Sequence, residues 1–137
     1  MTIDAYWAID HPDGSQGGDR VQLTSQADVV DFVRRISLPG ALLASLVHLG
    51  RPLWEQARQL PDHDVFAAVH DGFGYLSYQD MASGKHYPIG LPGSPGGEYD
   101  DDEFPPGSGI SIKDLTTAVA EFLDSAAIPT CLAWRRG

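Results

Sequence analysis

Five carboxylates fall within six positions at residues 98–103: Glu98, Asp100, Asp101, Asp102 and Glu103, with Tyr99 among them. Carboxylate oxygens are hard donors suited to calcium or magnesium. The run lacks the alternation and central glycine of a calcium-binding loop, so no metal site is expected from it. It reads instead as a solvated acidic loop, or as one presented to a basic partner. The chain's formal net charge is −10, and half of it is concentrated in this run.

The other candidates for chemistry are sparser. His11, His48, His63, His70 and His86 are scattered, without zinc-ligand spacing. His70 precedes Asp71, but neighbours in a strand point to opposite faces, which works against an acid–base pair. A small enzyme or ligand-binding domain with a pocket near His70 or His86 and the acidic loop stays open as an alternative, as does a scaffold module. Cys131 is the single cysteine, so no internal disulfide forms; it is expected as a small buried hydrophobe in an apolar strand. The glycine-rich run at residues 90–97 lacks the Gly-Lys-Ser/Thr ending of a phosphate loop, and its prolines remove amides that such a loop would use. No catalytic residue and no cofactor is expected.

The aromatic residues divide. Trp7, Phe32, Phe66, Phe122 and Trp134 suit a core. Tyr75 and Tyr78 fall on opposite faces of one strand, which leaves one of them open to solvent. Trp54, Tyr87, Tyr99 and Phe104 lie in or beside irregular segments, and loop aromatics flanked by charge are typical of binding hot spots. The candidate partner-binding set is therefore Tyr99, Asp100, Asp101, Asp102 and Glu103, with Tyr87 and Trp54 secondary. A plain packing role for Tyr99 is equally compatible with its surroundings.

The elements that position these residues follow from periodicity. Residues 111–134 are the organising stretch. Ser111 is an N-cap with Asp114 three residues on, near the positive end of the helix dipole. Ile112, Leu115, Val119, Phe122 and Leu123 then share one face. Ala126, Ala127 and Pro129 end the helix, and residues 130–134 follow as a closing strand, with Arg135 and Arg136 at solvent. A first helix starts at Ser25 with Asp28, striped by Val29, Phe32, Val33 and Ile36. Strands are expected at residues 3–9, 41–49, 65–70 and 74–78, the last two joined by a hairpin loop at 71–74. Shorter strands are expected at 20–23 and 85–89. Residues 50–64 read as a loop with one helical turn near Trp54, and 90–97 as the loosest segment.

The 137 residues, 42% hydrophobic, suffice for one core and show no repeat or linker. The fold class is α+β: a single domain over residues 1–137, mostly antiparallel sheet, with two helices packed on it and the C-terminal strand inserted in the sheet. The acidity disfavours nucleic acid as a direct partner. It favours either solubility or a basic protein partner. No leader or membrane span is legible, and one cysteine suits a reducing compartment, so the expected location is the cytoplasm.

The ending AxxEFLxxxxxPxxLxW, here Ala118, Glu121, Phe122, Leu123, Pro129, Leu132 and Trp134, resembles the C-terminal signature of a bacterial immunity-protein family found beside polymorphic toxins. The segments DVVDFVRRI and DHDVFAAVHDGFGYLSY and the aromatic-plus-acidic loop follow the family's order. Ala126-Ala127-Ile128 departs from its usual Thr-Gly-like turn. The resemblance implies a cytoplasmic antidote that binds one cognate toxin, often a nucleic-acid deaminase and sometimes a nuclease. It implies no catalytic residues and no cofactor.

Overall fold

Asp71 and Gly72 impose the tightest local constraint on the chain. Both have positive φ, 51° and 79°, the primed-turn geometry that suits a two-residue hairpin. His63–His70 therefore folds straight back onto Phe73–Asp80, in register from His63↔Asp80 to His70↔Phe73. This computed structural model describes residues 1–53, 60–99 and 102–137.

The elements in chain order are β1 (Ile3–Asp10), β2 (Gln16–Leu23), α1 (Gln26–Ile36), β3 (Ala41–His48), β4 (His63–His70), β5 (Phe73–Asp80), β6 (His86–Pro88), β7 (Gly97–Tyr99), β8 (Asp102–Phe104), α2 (Ile112–Ser125) and β9 (Trp134–Arg136). Seven strands form one sheet of order β2-β1-β3-β4-β5-β6-β9, and β7 pairs with β8 separately. Every pairing is antiparallel. The closing strand belongs to the sheet, as its edge beside β6.

Both helices start as their cap residues dictate. The Asp28 amide donates to Ser25 Oγ at 3.2 Å and the Asp114 amide to Ser111 Oγ at 3.0 Å. Arg34 and Arg35 sit in the last turn of α1, favourable for its dipole. Helix α2 ends at Ala126, which takes the left-handed conformation at φ 57°. A residue with a Cβ pays about 1 kcal/mol there. Arg51 braces the turn by donating to the Ala126 carbonyl at 2.6 Å.

Alternation in the strands then divides the sheet. Ile3, Ala5 and Trp7 of β1, Ala44 and Leu46 of β3, Val65 and Ala67 of β4, and Leu76 and Tyr78 of β5 join the helix stripes in one core. Trp7 meets Phe32 edge-on at 5.5 Å between ring centroids. Each large aliphatic or aromatic side chain among these, fully buried, contributes about 2 kcal/mol of hydrophobic stabilisation. The helix-free face is covered over part of its width by β7 and β8, where Ala68, Tyr75 and Phe104 form a second apolar cluster with Tyr87 and Tyr99.

Several expectations change. Strand β2 begins at Gln16, four residues early, because the turn closes within residues 11–15 through the Gly14 amide donating to the His11 carbonyl at 3.0 Å. Tyr75 and Tyr78 do lie on opposite faces, yet both are buried, because both faces are covered at that point. The closing strand starts at Trp134, and Arg135 and Arg136 pair with Tyr87 and His86. Residues 130 and 131 form no strand, because the Glu121 carboxylate, reaching back from α2, takes the amides of Thr130 and Cys131. Cys131 is consequently exposed, not a buried hydrophobe. The run at 90–97 is knit to the following turn: the Gly90 amide donates to the Gly107 carbonyl at 2.9 Å and the Leu91 amide to the Gly109 carbonyl at 2.8 Å. A Cβ at Gly90 would stand 2.8 Å from the Ser108 carbonyl carbon, so glycine is required for that approach.

Candidate functional site

The described ends of the acidic run are two paired antiparallel strands laid on the sheet. In β7 and β8, Glu98 stands directly opposite Glu103, and Tyr99 opposite Asp102. Period-two alternation sends these two pairs to different faces. Asp102 and Phe104 face inward and are buried. Glu98 and Glu103 are exposed. Like charges directly across a strand pair are destabilising, so this arrangement works against the fold that carries it.

The inward residues hold the hairpin in place. Asp102 is ion-paired to Lys85 and accepts from Ser77 Oγ at 3.0 Å. Burial by itself lowers the Lys85 pKa, but the Asp102 carboxylate outweighs it and holds the ammonium above its ordinary 10.5. Phe104 is surrounded by aromatic rings, with centroids of Tyr75, Tyr99 and Tyr87 at 5.3, 6.0 and 6.1 Å. Tyr75 donates its hydroxyl to the Pro95 carbonyl at 2.7 Å. Burial raises the pKa of the Tyr99 phenol, with the Tyr75 phenol adding to it.

Beside the hairpin the helix-free face of β1, β3 and β4 is open. Tyr6, Asp10, Leu43, Ser45, Phe66, Glu98 and Tyr99 border a groove of about 500 Å³. Tyr6 is 48% exposed, unusual for a ring in mid-strand. The groove is thus lined by aromatic rings and by carboxylates.

The structure brings Tyr87, Tyr99, Asp102 and Glu103 together around Phe104. It separates their roles: Glu103 faces solvent, Tyr87 and Tyr99 are half-buried, and Asp102 serves the interior. Trp54, Asp100 and Asp101 lie outside the described residues. The groove residues Tyr6, Leu43 and Phe66 were not legible as a site, because only the sheet order places them beside the hairpin. An aromatic ring on the outward face of an alternating strand, at Tyr6, is the one local signal.

The five histidines do not converge on one site. His70 and Asp71 do meet, at 3.2 Å, because Asp71 occupies a turn and not a strand position, but both are exposed. His70 pairs with Phe73 and His86 with Tyr78, so along β5 they are separated by roughly 17 Å. His48 and His63 form a different cluster. The His48 amide donates to His63 Nε2 at 2.9 Å, and His63 Nδ1 lies 2.9 Å from Asp62 Oδ1. The Gly50 amide donates to His48 Nδ1 at 3.0 Å. Arg51 donates to both Asp62 oxygens at 3.0 Å. Burial pushes the His63 pKa below 6.5, against the opposing pull of Asp62. Each polar atom named here has a partner, so the cluster ties the segment before β4 to the sheet and to α2. Among the described residues, no group of three or more His, Cys, Asp or Glu could hold a metal ion. No helix among them is long and apolar enough to cross a membrane.

Residues 17–136 match the family described as Immunity protein Imm1. No curated protein matches the chain. The matched span runs from β2 through β9 and includes the hairpin and most of the groove.

Proposed function

The chain belongs to the Imm1 immunity-protein family, and from that premise we propose that its cognate toxin acts on nucleic acid, as a deaminase or a nuclease. As an immunity protein the chain binds and restrains a toxin; it is not an enzyme. In the proposal, the hairpin of β7 and β8 covers the toxin's basic substrate-binding surface, in the cytoplasm of the protected cell.

The observation that carries this reading is the Glu98–Glu103 pair. Two carboxylates face each other on an exposed hairpin, with Asp100 and Asp101 between them in sequence. A toxin that grips phosphates displays positive charge, and complementary charge steers association and excludes the competing substrate. Tyr99 and Tyr87 supply the aromatic area that interfaces concentrate, with Trp54 as a further contact. Asp102 contributes indirectly, by fixing the hairpin to Lys85 and Ser77.

The test is co-purification with the product of the gene immediately upstream, followed by charge reversal of Asp100, Asp101 and Glu103 together. Affinity should fall by about a hundredfold or more at low salt, and the salt dependence of binding should flatten. Wild-type affinity in the reversed variant would remove the hairpin from the interface. Failure of the wild type to bind that product would remove the proposed partner.

A further inference from the structure

The groove beside the hairpin holds a chemical combination that the acidic surface alone does not explain. Three aromatic side chains, Tyr6, Phe66 and Tyr99, border it together with the Asp10 and Glu98 carboxylates. No lysine or arginine is among its lining residues. Neither Asp10 nor Glu98 enters an ion pair among the described residues. The Gln16 amide donates to Asp10 Oδ1 at 2.9 Å, which orients the carboxylate without cancelling its charge. Arg20, across the strand pair from Tyr6, is tied to Asp4.

The same fold twice places a cation over an aromatic ring and beside a carboxylate. The Arg35 guanidinium lies 5.3 Å from the Trp7 ring centre and pairs with Asp19. Lys85 lies 5.6 Å from the Tyr87 ring centre and 5.9 Å from that of Phe66, and pairs with Asp102. Phe66 is thus a groove ring that already has Lys85 near it, and the rings of Tyr6 and Tyr99, with the Asp10 and Glu98 carboxylates, are what the groove offers to a cation arriving from outside.

We propose that this groove receives an arginine side chain of the toxin, lying among the Tyr6, Phe66 and Tyr99 rings that border it, with the Asp10 and Glu98 carboxylates supplying the negative charge that draws it in. This rests on the toxin-binding reading and names the contact within it. Arginine is favoured over lysine on physical grounds. Its guanidinium is planar, weakly hydrated and able to stack on a ring while donating to a carboxylate in its own plane. An arginine placed there would be one that the toxin otherwise uses on a phosphate, so its capture would remove substrate binding directly.

Two measurements test this separately from the parent reading. The first uses the protein alone, titrated with acetyl-arginine amide and with its uncharged isostere acetyl-citrulline amide, and followed by NMR. Arginine amide should shift the Tyr6, Phe66 and Tyr99 resonances, and citrulline amide should not. The isosteric double variant Asp10→Asn, Glu98→Gln should abolish the response. Absence of groove shifts, or equal shifts with citrulline, overturns the inference whatever the toxin does. The second measures toxin affinity of Tyr6→Ala and of the double variant, each expected to weaken binding by about tenfold or more. Unchanged affinity there also overturns the inference, while leaving toxin binding by the hairpin intact. A wild type that binds arginine amide in the groove but not the upstream gene product sinks the choice of toxin and supports the chemistry assigned to the groove.

Discussion

Two polar regions of this protein are built from similar residues and do opposite things. Around Arg51, the groups Asp62, His63, His48 and Asp80 are turned inward, and hydrogen bonds or ion pairs join them. In the hairpin, Glu98 and Glu103 face each other and the solvent. The first cluster joins a loop, two strands and the end of α2. The second weakens the element that carries it. Polar residues that satisfy one another are architecture; charges held together without partners on a rigid support are available for something else. Asp102 marks the boundary, because it lies within the acidic run yet belongs to the inward class through Lys85 and Ser77.

The largest expected effect breaks the support on which that contrast depends. Phe104 is 1% exposed at the centre of the rings beneath the hairpin. Phe104→Ala should cost about 4 kcal/mol of stability in urea unfolding. It should also weaken toxin binding, although Phe104 presents no surface to a partner. A variant that loses stability but binds normally would mean that the hairpin needs no fixed platform.

The inward cluster should announce itself through acid. His63 accepts a backbone amide on Nε2, so protonating that nitrogen removes an acceptor. Its folded pKa is depressed below the ordinary 6.5, so below that value the unfolded chain binds the extra proton first. The contribution is fully present above about pH 6.5 and is lost as pH falls toward the lowered folded value. Urea midpoints measured between about pH 7.5 and about pH 5.5 should therefore decrease, and His63→Gln should flatten that slope. A midpoint that holds steady or rises over this range would contradict the neutral, hydrogen-bonded histidine.

The smallest effect sharpens the contrast most. Glu98→Gln removes one of two opposed charges and should raise stability by about 0.3 kcal/mol, while toxin affinity falls. Stability and binding moving in opposite directions is the signature of a charge retained for a partner. If both decline together, Glu98 belongs with the structural group.

Much of the scaffold was legible because it is decided locally. Ser25 and Ser111 cap the helices they precede, since a hydroxyl there meets an amide three residues on. Stripes such as Leu115, Val119, Phe122 and Leu123 define a helix face whatever lies opposite. The resemblance in residues 118–134 agrees with the family matched. The site was legible only in part. The acidic run and its tyrosine stood out by composition, but the groove beside them did not, nor did the inward turn of Asp102. The misplaced closing strand has the same cause: nothing near Cys131 announces that Glu121 will take its amide.

The sequence by itself therefore determined the helices, the existence of the hairpin around residues 71–74, the apolar faces and the sign of the charge, because each rests on neighbours a few positions apart; that its turn narrows to Asp71-Gly72 came from the structure. Tertiary structure decided which carboxylates are neutralised and which are offered outward. Asp102 meets Lys85 across 17 positions and Ser77 across 25. Tyr6, Phe66 and Tyr99 border one groove only because β1, β3 and β4 are neighbours and the hairpin lies beside them. Such contacts depend on strand order and on which face is covered, and no local propensity encodes either.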